Sequence, residues 1–144
     1  MKRLMLLCTI AGRLAAIPTS EVRSVIEIDT VTPVPGTPPY ITGLTALRSQ
    51  ALTVIDCRVA LGFESAGDPV GSRAAVIALD GHLYALVVDD ASDVEEVESE
   101  IQQIRGGFGH QWENAAAGMV ETPSGPAIVL DIPALLGLRR EKAA

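Results

Sequence analysis

Apolar and polar residues alternate along most of this chain in short runs, the period-2 pattern of strands with one buried face. The pattern predicts strands at Leu4–Ile10, Leu14–Pro18, Val22–Ile28, Ile41–Leu47, Ala51–Arg58, Ala74–Leu79, His82–Val88, Val94–Val97, Gly118–Thr122 and Ala127–Asp131. Turn residues separate them at close spacing, which points to a sandwich or barrel and away from βαβ units. The clearest hairpin joins Ala74–Leu79 to His82–Val88, because Asp80-Gly81 supplies the two positive-φ positions of a type I′ turn. A second hairpin closes around Pro123-Ser124-Gly125-Pro126. Helical spacing is rare. Val94, Val97, Ile101 and Ile104 fall 3, 4 and 3 apart, one helix face, so Val94–Ile104 reads as either helix or strand. Asp131 predicts an N-cap with Pro133 in the first turn and Ala134-Leu135-Leu136 following. No internal repeat is visible along the sequence.

The segment Thr32–Gly62 departs from this alternation at its start. Pro33, Pro35, Pro38 and Pro39 each fix φ near −65° and push the preceding residue toward extended conformations. A stiff arm therefore leads into two strands around one basic group, Arg48, which reads as a surface for docking. The loop Glu64–Ser72 carries Gly67, Asp68, Pro69 and Gly71 and is expected to be mobile.

Length and composition narrow the class. The chain has 144 residues, enough for one domain with a core, and 48% of them are hydrophobic. Only 3% are aromatic, so aliphatic side chains must fill that core. The net charge of −7 argues against sequence-independent nucleic-acid binding. Twelve of the eighteen acids lie in residues 74–144, with only four basic groups beside them. No apolar run is long enough to span a bilayer. Lys2 and Arg3 before LMLLCTIAG give the look of a short signal-peptide core, but Arg13 interrupts it, and a first strand, a turn at Gly12-Arg13 and a second strand is the favoured reading. Cys8 and Cys57, 49 positions apart, make neither a metal motif nor a CxxC. Free thiols in a reducing cytoplasm are the simpler reading, with a disulfide also open.

Residues for chemistry are sparse. His82 follows a turn and reads as solvated. His110, in GGFGHQW beside Trp112, has no second ligand nearby. There is no nucleophile elbow, no dinucleotide fingerprint and no P-loop. Seven acids in residues 89–100 invite a calcium site but lack the glycine and the terminal glutamate of such a loop. A solvated face is the plainer reading. Asp89, directly after LYALVV, is placed to accept backbone N–H bonds and fix a turn. Arg48 reads equally as half of an ion pair with Asp56 or another acid, its stem packed on apolar surface, and as an interface arginine.

Five segments in register resemble the CheW-like domain of bacterial chemotaxis coupling proteins. They are LMLLCTIAGRLAAIPTSEVRSV, TPVPGTPPYITGLTALR with its Gly43 turn and Leu-Arg signature, ALTVIDCRVALG with the Asp56/Arg58 pair, LVVDDASDV, and GMVETPSGPAIVLDIPALL. The resemblance covers nearly the whole chain. It implies an all-β fold: one CheW-like domain over residues 1–144, made of two packed SH3-like five-stranded β-barrels with short helical segments. It implies a cytoplasmic scaffold with no catalysis and no cofactor, coupling the cytoplasmic tip of a chemoreceptor to the regulatory domain of a CheA-type histidine kinase, with no nucleic acid and no direct membrane insertion. It carries receptor binding onto Val22, Leu44, Arg48 and Val88, in a groove between the barrels that suits an amphipathic helical hairpin. The kinase would meet barrel loops including Gly67, Asp68 and Gly71, and Gly43, Asp56 and Asp89 fall at structural positions. Three residues depart from the family pattern. Ser49 stands for a usual Gly after the arginine, Thr53 for a frequent Pro and Ser24 for a common acid. The alternative they raise is a divergent double-barrel module that binds another peptide or a small ligand outside the chemoreceptor array.

Overall fold

Short strands are stable only when paired, and among the described residues the pairing sorts ten of them into two sheets. The computed structural model describes residues 3–97, 101–102, 109 and 111–137. In chain order the elements are β1 (Arg3–Ile10), β2 (Arg13–Pro18), a single 3-10 turn, β3 (Val22–Glu27), β4 (Ile41–Leu47), β5 (Gln50–Asp56), α1 (Cys57–Leu61), β6 (Arg73–Leu79), β7 (His82–Val87), β8 (Asp90–Val97), β9 (Ala116–Thr122), β10 (Gly125–Leu130) and α2 (Ile132–Leu135). Sheet one has the order β8-β1-β2-β10-β9 and sheet two the order β3-β6-β7-β5-β4. Neighbours are antiparallel except β2 with β10 and β5 with β7. The fold is mostly β, as expected. The expected closing of each sheet into a barrel is not confirmed: among the described residues no hydrogen-bonded ladder joins the outer strands β8 and β9, or β3 and β4.

Each sheet instead curls around its own apolar cluster. Met5, Leu7, Ala16, Val120 and Val129 fill the inside of sheet one. Leu52, Val54, Val76 and Ala85 fill the inside of sheet two. The opposite faces of both sheets meet in a third and larger core, where Leu6, Ile10 and Ile17 pack with Ile55, Ile77, Leu86 and Trp112. Alternation along a strand thus serves two cores at once: Leu6, Cys8 and Ile10 of β1 enter the shared core, and Met5 and Leu7 the private core.

The two sheets are built on one plan. Each contains a hairpin whose second strand runs parallel to a strand of another hairpin, and that other hairpin ends in a capped helix. Gly43 and Gly118, and the capping residues Asp56 and Asp131, are both 75 positions apart. Bulges interrupt the β1–β8 and β3–β6 ladders at equivalent registers. The sequence shows no repeat because only positions dictated by backbone geometry are held in common. The remaining positions need only be aliphatic.

Local signals explain most elements, and their failures are physical. Asp131 caps α2 by accepting from the Ala134 N–H at 3.2 Å. The strand expected over Ala51–Arg58 ends at Asp56, whose carboxylate caps α1 instead. The helical alternative for Val94–Ile104 is overturned over its described residues. Val94 through Val97 pair with Leu6 through Arg3 of β1, and a full ladder outweighs a few residues at helical spacing. The turn expected at Gly12-Arg13 sits one residue earlier, at Ala11-Gly12.

Three hairpins use two-residue turns with positive φ at both positions: Ala11-Gly12, Asp80-Gly81 and Arg48-Ser49. The third places two side chains in the left-handed region, at φ 51° and 68°. A Ser49→Gly protein is therefore expected to gain about 1 kcal/mol of stability. Urea midpoints at unchanged m-value would register the gain; an unchanged midpoint would mean that the turn carries no strain.

Candidate functional site

The proline arm is fastened along its length. Thr32 and Leu44 exchange both backbone hydrogen bonds, at 2.8 and 2.9 Å, so the arm lies against the outer edge of β4. Gly43 makes this approach possible. A Cβ there would run into the Thr32 carbonyl oxygen and lie 2.8 Å from the Val31 side chain, and the φ of +156° disfavours any side chain. At the far end, the Tyr40 hydroxyl donates to the Leu136 carbonyl at 3.1 Å, tying the arm to the end of α2.

Asp56 and Asp89 anchor the junction between the sheets. Asp56 Oδ1 accepts the N–H groups of Arg58 at 3.0 Å and Val59 at 3.3 Å, and its Oδ2 accepts from Ser65 Oγ at 2.8 Å. The cap turns the chain so that Arg58 faces Asp89, and a two-pronged pair forms with both contacts at 2.8 Å. Asp89 lies where the chain leaves sheet two for sheet one. Its own N–H donates to the Thr9 carbonyl at 2.8 Å, and its carboxylate accepts from the Ala11 and Gly12 N–H groups. One carboxylate therefore joins α1, the crossover and the β1–β2 turn.

That environment sets its titration. The hydrogen-bonded Arg58 guanidinium holds the Asp89 carboxyl below the usual aspartate range, with the two turn N–H groups adding to it and burial opposing. A lowered folded-state pKa contributes stability that is complete above the unfolded value, near 3.9, and lost as pH falls through the folded one. An Asp89→Asn protein is expected to be less stable at neutral pH and to lose less of what remains between about pH 5 and pH 2. Thermal melts of both proteins across that range are the check, and parallel acid slopes would remove Asp89 as a source of acid lability.

The four residues expected to meet a receptor are only partly brought together. The register sets Leu44, Thr53, Tyr84, Ile77 and Val22 in one row across sheet two. Val22, Ile77 and Tyr84 of this row face the shared core. Leu44, 40% exposed, stands at one end of the row and half-buried Val22 at the other. Arg48 projects from the turn beyond Leu44. Val88 is 3% exposed and packed into the shared core, off the Leu44 row, and lines the separate cleft beside Arg58 and Asp89. Asp56 is occupied with its cap and Ser65, so it is not the partner of Arg48.

Beside Arg48 lies a cleft of about 370 Å³ that the sequence did not signal. Residues 23–26 of β3 form one wall and Leu47, Arg48 and Gln50 the other, over Val76 and Leu83. Arg23 is the side chain missed. Its exposure follows from its place in the alternation of β3, but its neighbour across the gap is 25 positions away in sequence.

A second cleft, of about 230 Å³, opens beside the Arg58–Asp89 pair and includes Gly67 and Asp68; Gly71 is outside it. The loop expected to be mobile makes hydrogen bonds within itself and to Ile28. Val70 N–H donates to Asp68 Oδ1 at 3.0 Å, and Gly71 N–H and the Ser72 carbonyl pair with Ile28, each at 2.8 Å.

Little reactive chemistry surrounds these clefts. Cys8 and Cys57 are free and buried in the shared core. Burial, with the Asp89 charge adding to it, pushes the Cys8 thiol up to about 12, and burial followed by the neighbouring Cys8 thiol pushes Cys57 well above its usual range, so both stay protonated and inert. His82 is exposed at the start of β7, and His110 lies outside the described residues. Among the described residues no three His, Cys, Asp or Glu side chains are grouped to hold a metal, and no helix is long and apolar enough to cross a membrane.

Comparison with known proteins gives three agreeing results. The CheW-like domain family model matches residues 4–140. The chain is 28% identical over 141 residues to a Bacillus subtilis protein named chemotaxis protein CheW, covering 97% of this chain and 90% of that protein. Its fold is similar to the crystal structure of the scaffolding protein TtCheW from Thermoanaerobacter tengcongensis, with a TM-score of 0.79 at 21% identity, over 91% of this chain and 90% of that one.

Proposed function

The chain belongs to the CheW-like domain family, and from that premise we propose that it is a non-catalytic adaptor of chemotaxis signalling, coupling the cytoplasmic tip of a chemoreceptor to a CheA-type histidine kinase in the cytoplasm. The observation that carries this reading is the family match from residue 4 to residue 140, which takes in both sheets and every strand but the first residue of β1. A receptor helical hairpin would lie along the Val22–Leu44 row, with Arg48 reaching it from the β4–β5 turn. Exposed Leu44 and half-buried Thr53, Tyr84 and Val22 give the row, apart from buried Ile77, a largely apolar surface of the kind an amphipathic helix requires. The kinase would meet the Gly67–Gly71 loop, where Gly67 and Asp68 rim a cleft beside the Arg58–Asp89 pair.

Isothermal titration with a receptor signalling-domain fragment and with the kinase regulatory domain tests the proposal. Micromolar binding of both is expected. Binding of neither would sink it. The second reading is a family member that has left the array for another peptide or small ligand. It is favoured by one observation: Ser24, Ser49 and Thr53 all fall on sheet two, around Arg48 and along the Leu44 row. A compound that raises the melting temperature, with receptor fragments inert, would select it.

A further inference from the structure

The shared plan of the two sheets allows one to be read against the other. Each sheet has an open seam between an outer strand and the tip of the opposite hairpin. In sheet one the outer strand is β8 and the tip is Pro123-Ser124. That seam is bridged by a carboxylate of the chain itself: Ser124 Oγ donates to Glu95 Oε2 at 3.0 Å. In sheet two the outer strand is β3 and the tip is Arg48-Ser49. Register counting places Ile26 where sheet one has Glu95, since Ile26 pairs with Ala74 as Glu95 pairs with Met5. The bridging acid is therefore absent, and the seam remains an open cleft of about 370 Å³.

What lines the cleft defines what it accepts. Arg23 and Arg48 flank it, and no acid contributes to its walls, although the chain as a whole carries a charge of −7. Neither arginine side chain forms a hydrogen bond or ion pair with another described residue. Val76 and Leu83 provide an aliphatic floor between them. Two arginines lining one cleft, with no acid among its walls, favour an anion with planar geometry, and the floor favours an apolar neighbour to it.

We infer that the sheet-two seam takes an acidic segment of the docked receptor, a carboxylate reaching Arg23 and Arg48 beside an aliphatic side chain on the Val76–Leu83 floor. The inference rests on the adaptor reading for the identity of the occupant. The partner thereby supplies in trans the charge that Glu95 supplies in cis to the other seam. Arg48 then forms a wall of the seam from the turn, four residues along the chain from Leu44.

Two measurements on the full chain decide it. In the first, isotopically labelled protein is titrated with a capped helical peptide carrying Leu and Glu one turn apart, and with the same peptide carrying Gln for Glu. Signals of Arg23, Ser24, Arg48 and Gln50 are expected to shift, and the Gln peptide to bind about tenfold more weakly. A Ser24→Glu protein, which brings its own carboxylate to the cleft, should lose affinity for the Glu peptide by a similar factor while melting no lower than the parent. Equal binding of the two peptides, shifts confined to other residues, or no binding overturns the inference. In the second, a receptor signalling-domain fragment is titrated into the parent, Arg23→Glu and Ser24→Glu proteins. Weaker binding by both variants, with a shallower salt dependence, is expected. Unchanged binding overturns the seam and leaves the adaptor reading standing. Failure of the parent protein to bind the receptor removes the adaptor reading instead, and the peptide titration then decides whether the cleft binds carboxylates.

Discussion

A Gly43→Ala protein is expected to unfold with about 3 kcal/mol less stability than the parent. Two effects act together. The backbone at φ +156° suits glycine, and the added Cβ meets the Thr32 carbonyl, which is main chain and cannot swing aside as a side chain would. Relief requires the arm to leave the edge of β4, which sacrifices the paired Thr32–Leu44 hydrogen bonds at 2.8 and 2.9 Å. Gly36 supplies the control. It also has positive φ, at 78°, but open space around its missing Cβ. Gly36→Ala should cost only about 1 kcal/mol. Denaturant unfolding of the two variants separates crowding from backbone preference, and equal losses would show that the arm yields without resistance. The arm also forms the border of Leu44, so the Gly43 variant should bind receptor less well than its residual folded fraction predicts.

The strands were legible because alternation is a local property, and β4 begins and ends where the pattern places it. Capping was legible at Asp131, where a proline follows at once, and missed at Asp56, where an apolar run continues through Cys57, Val59 and Leu61 and masks the turn of helix. The 94–104 segment carried a true ambiguity, since four apolar residues at helical spacing say nothing about whether β1 has a free edge to offer. The surface was less legible than the fold. Val88 resembles a docking residue by family position and is buried because the crossover after β7 turns it into the shared core. Arg23 was invisible because its role comes from the hairpin tip that β3 faces across an unclosed seam. The repeat was hidden for the same reason: it resides in ladders, bulges and turns, and a few glycines and aspartates are its only trace in sequence.

Arg48→Ala is expected to weaken receptor binding by about 2 kcal/mol, roughly thirtyfold, with the melting temperature nearly unchanged. The structural alternative for this residue was an intramolecular ion pair, and the nearest sequence candidate for it, Asp56, is already engaged by Arg58, Val59 and Ser65. Its backbone offers no counter-argument, because alanine at φ 51° is strained much as arginine is. Stability should thus be indifferent to the side chain while binding is not. Arg48→Lys refines the point. It keeps the charge and loses the planar fork, so it should recover only part of the affinity if a carboxylate is gripped by two N–H groups, and nearly all of it if the contact is a diffuse attraction. Titration calorimetry with a receptor fragment, paired with thermal melts of each variant, reads both quantities. A large fall in melting temperature for Arg48→Ala would return the residue to the interior of the fold and take the docking surface with it.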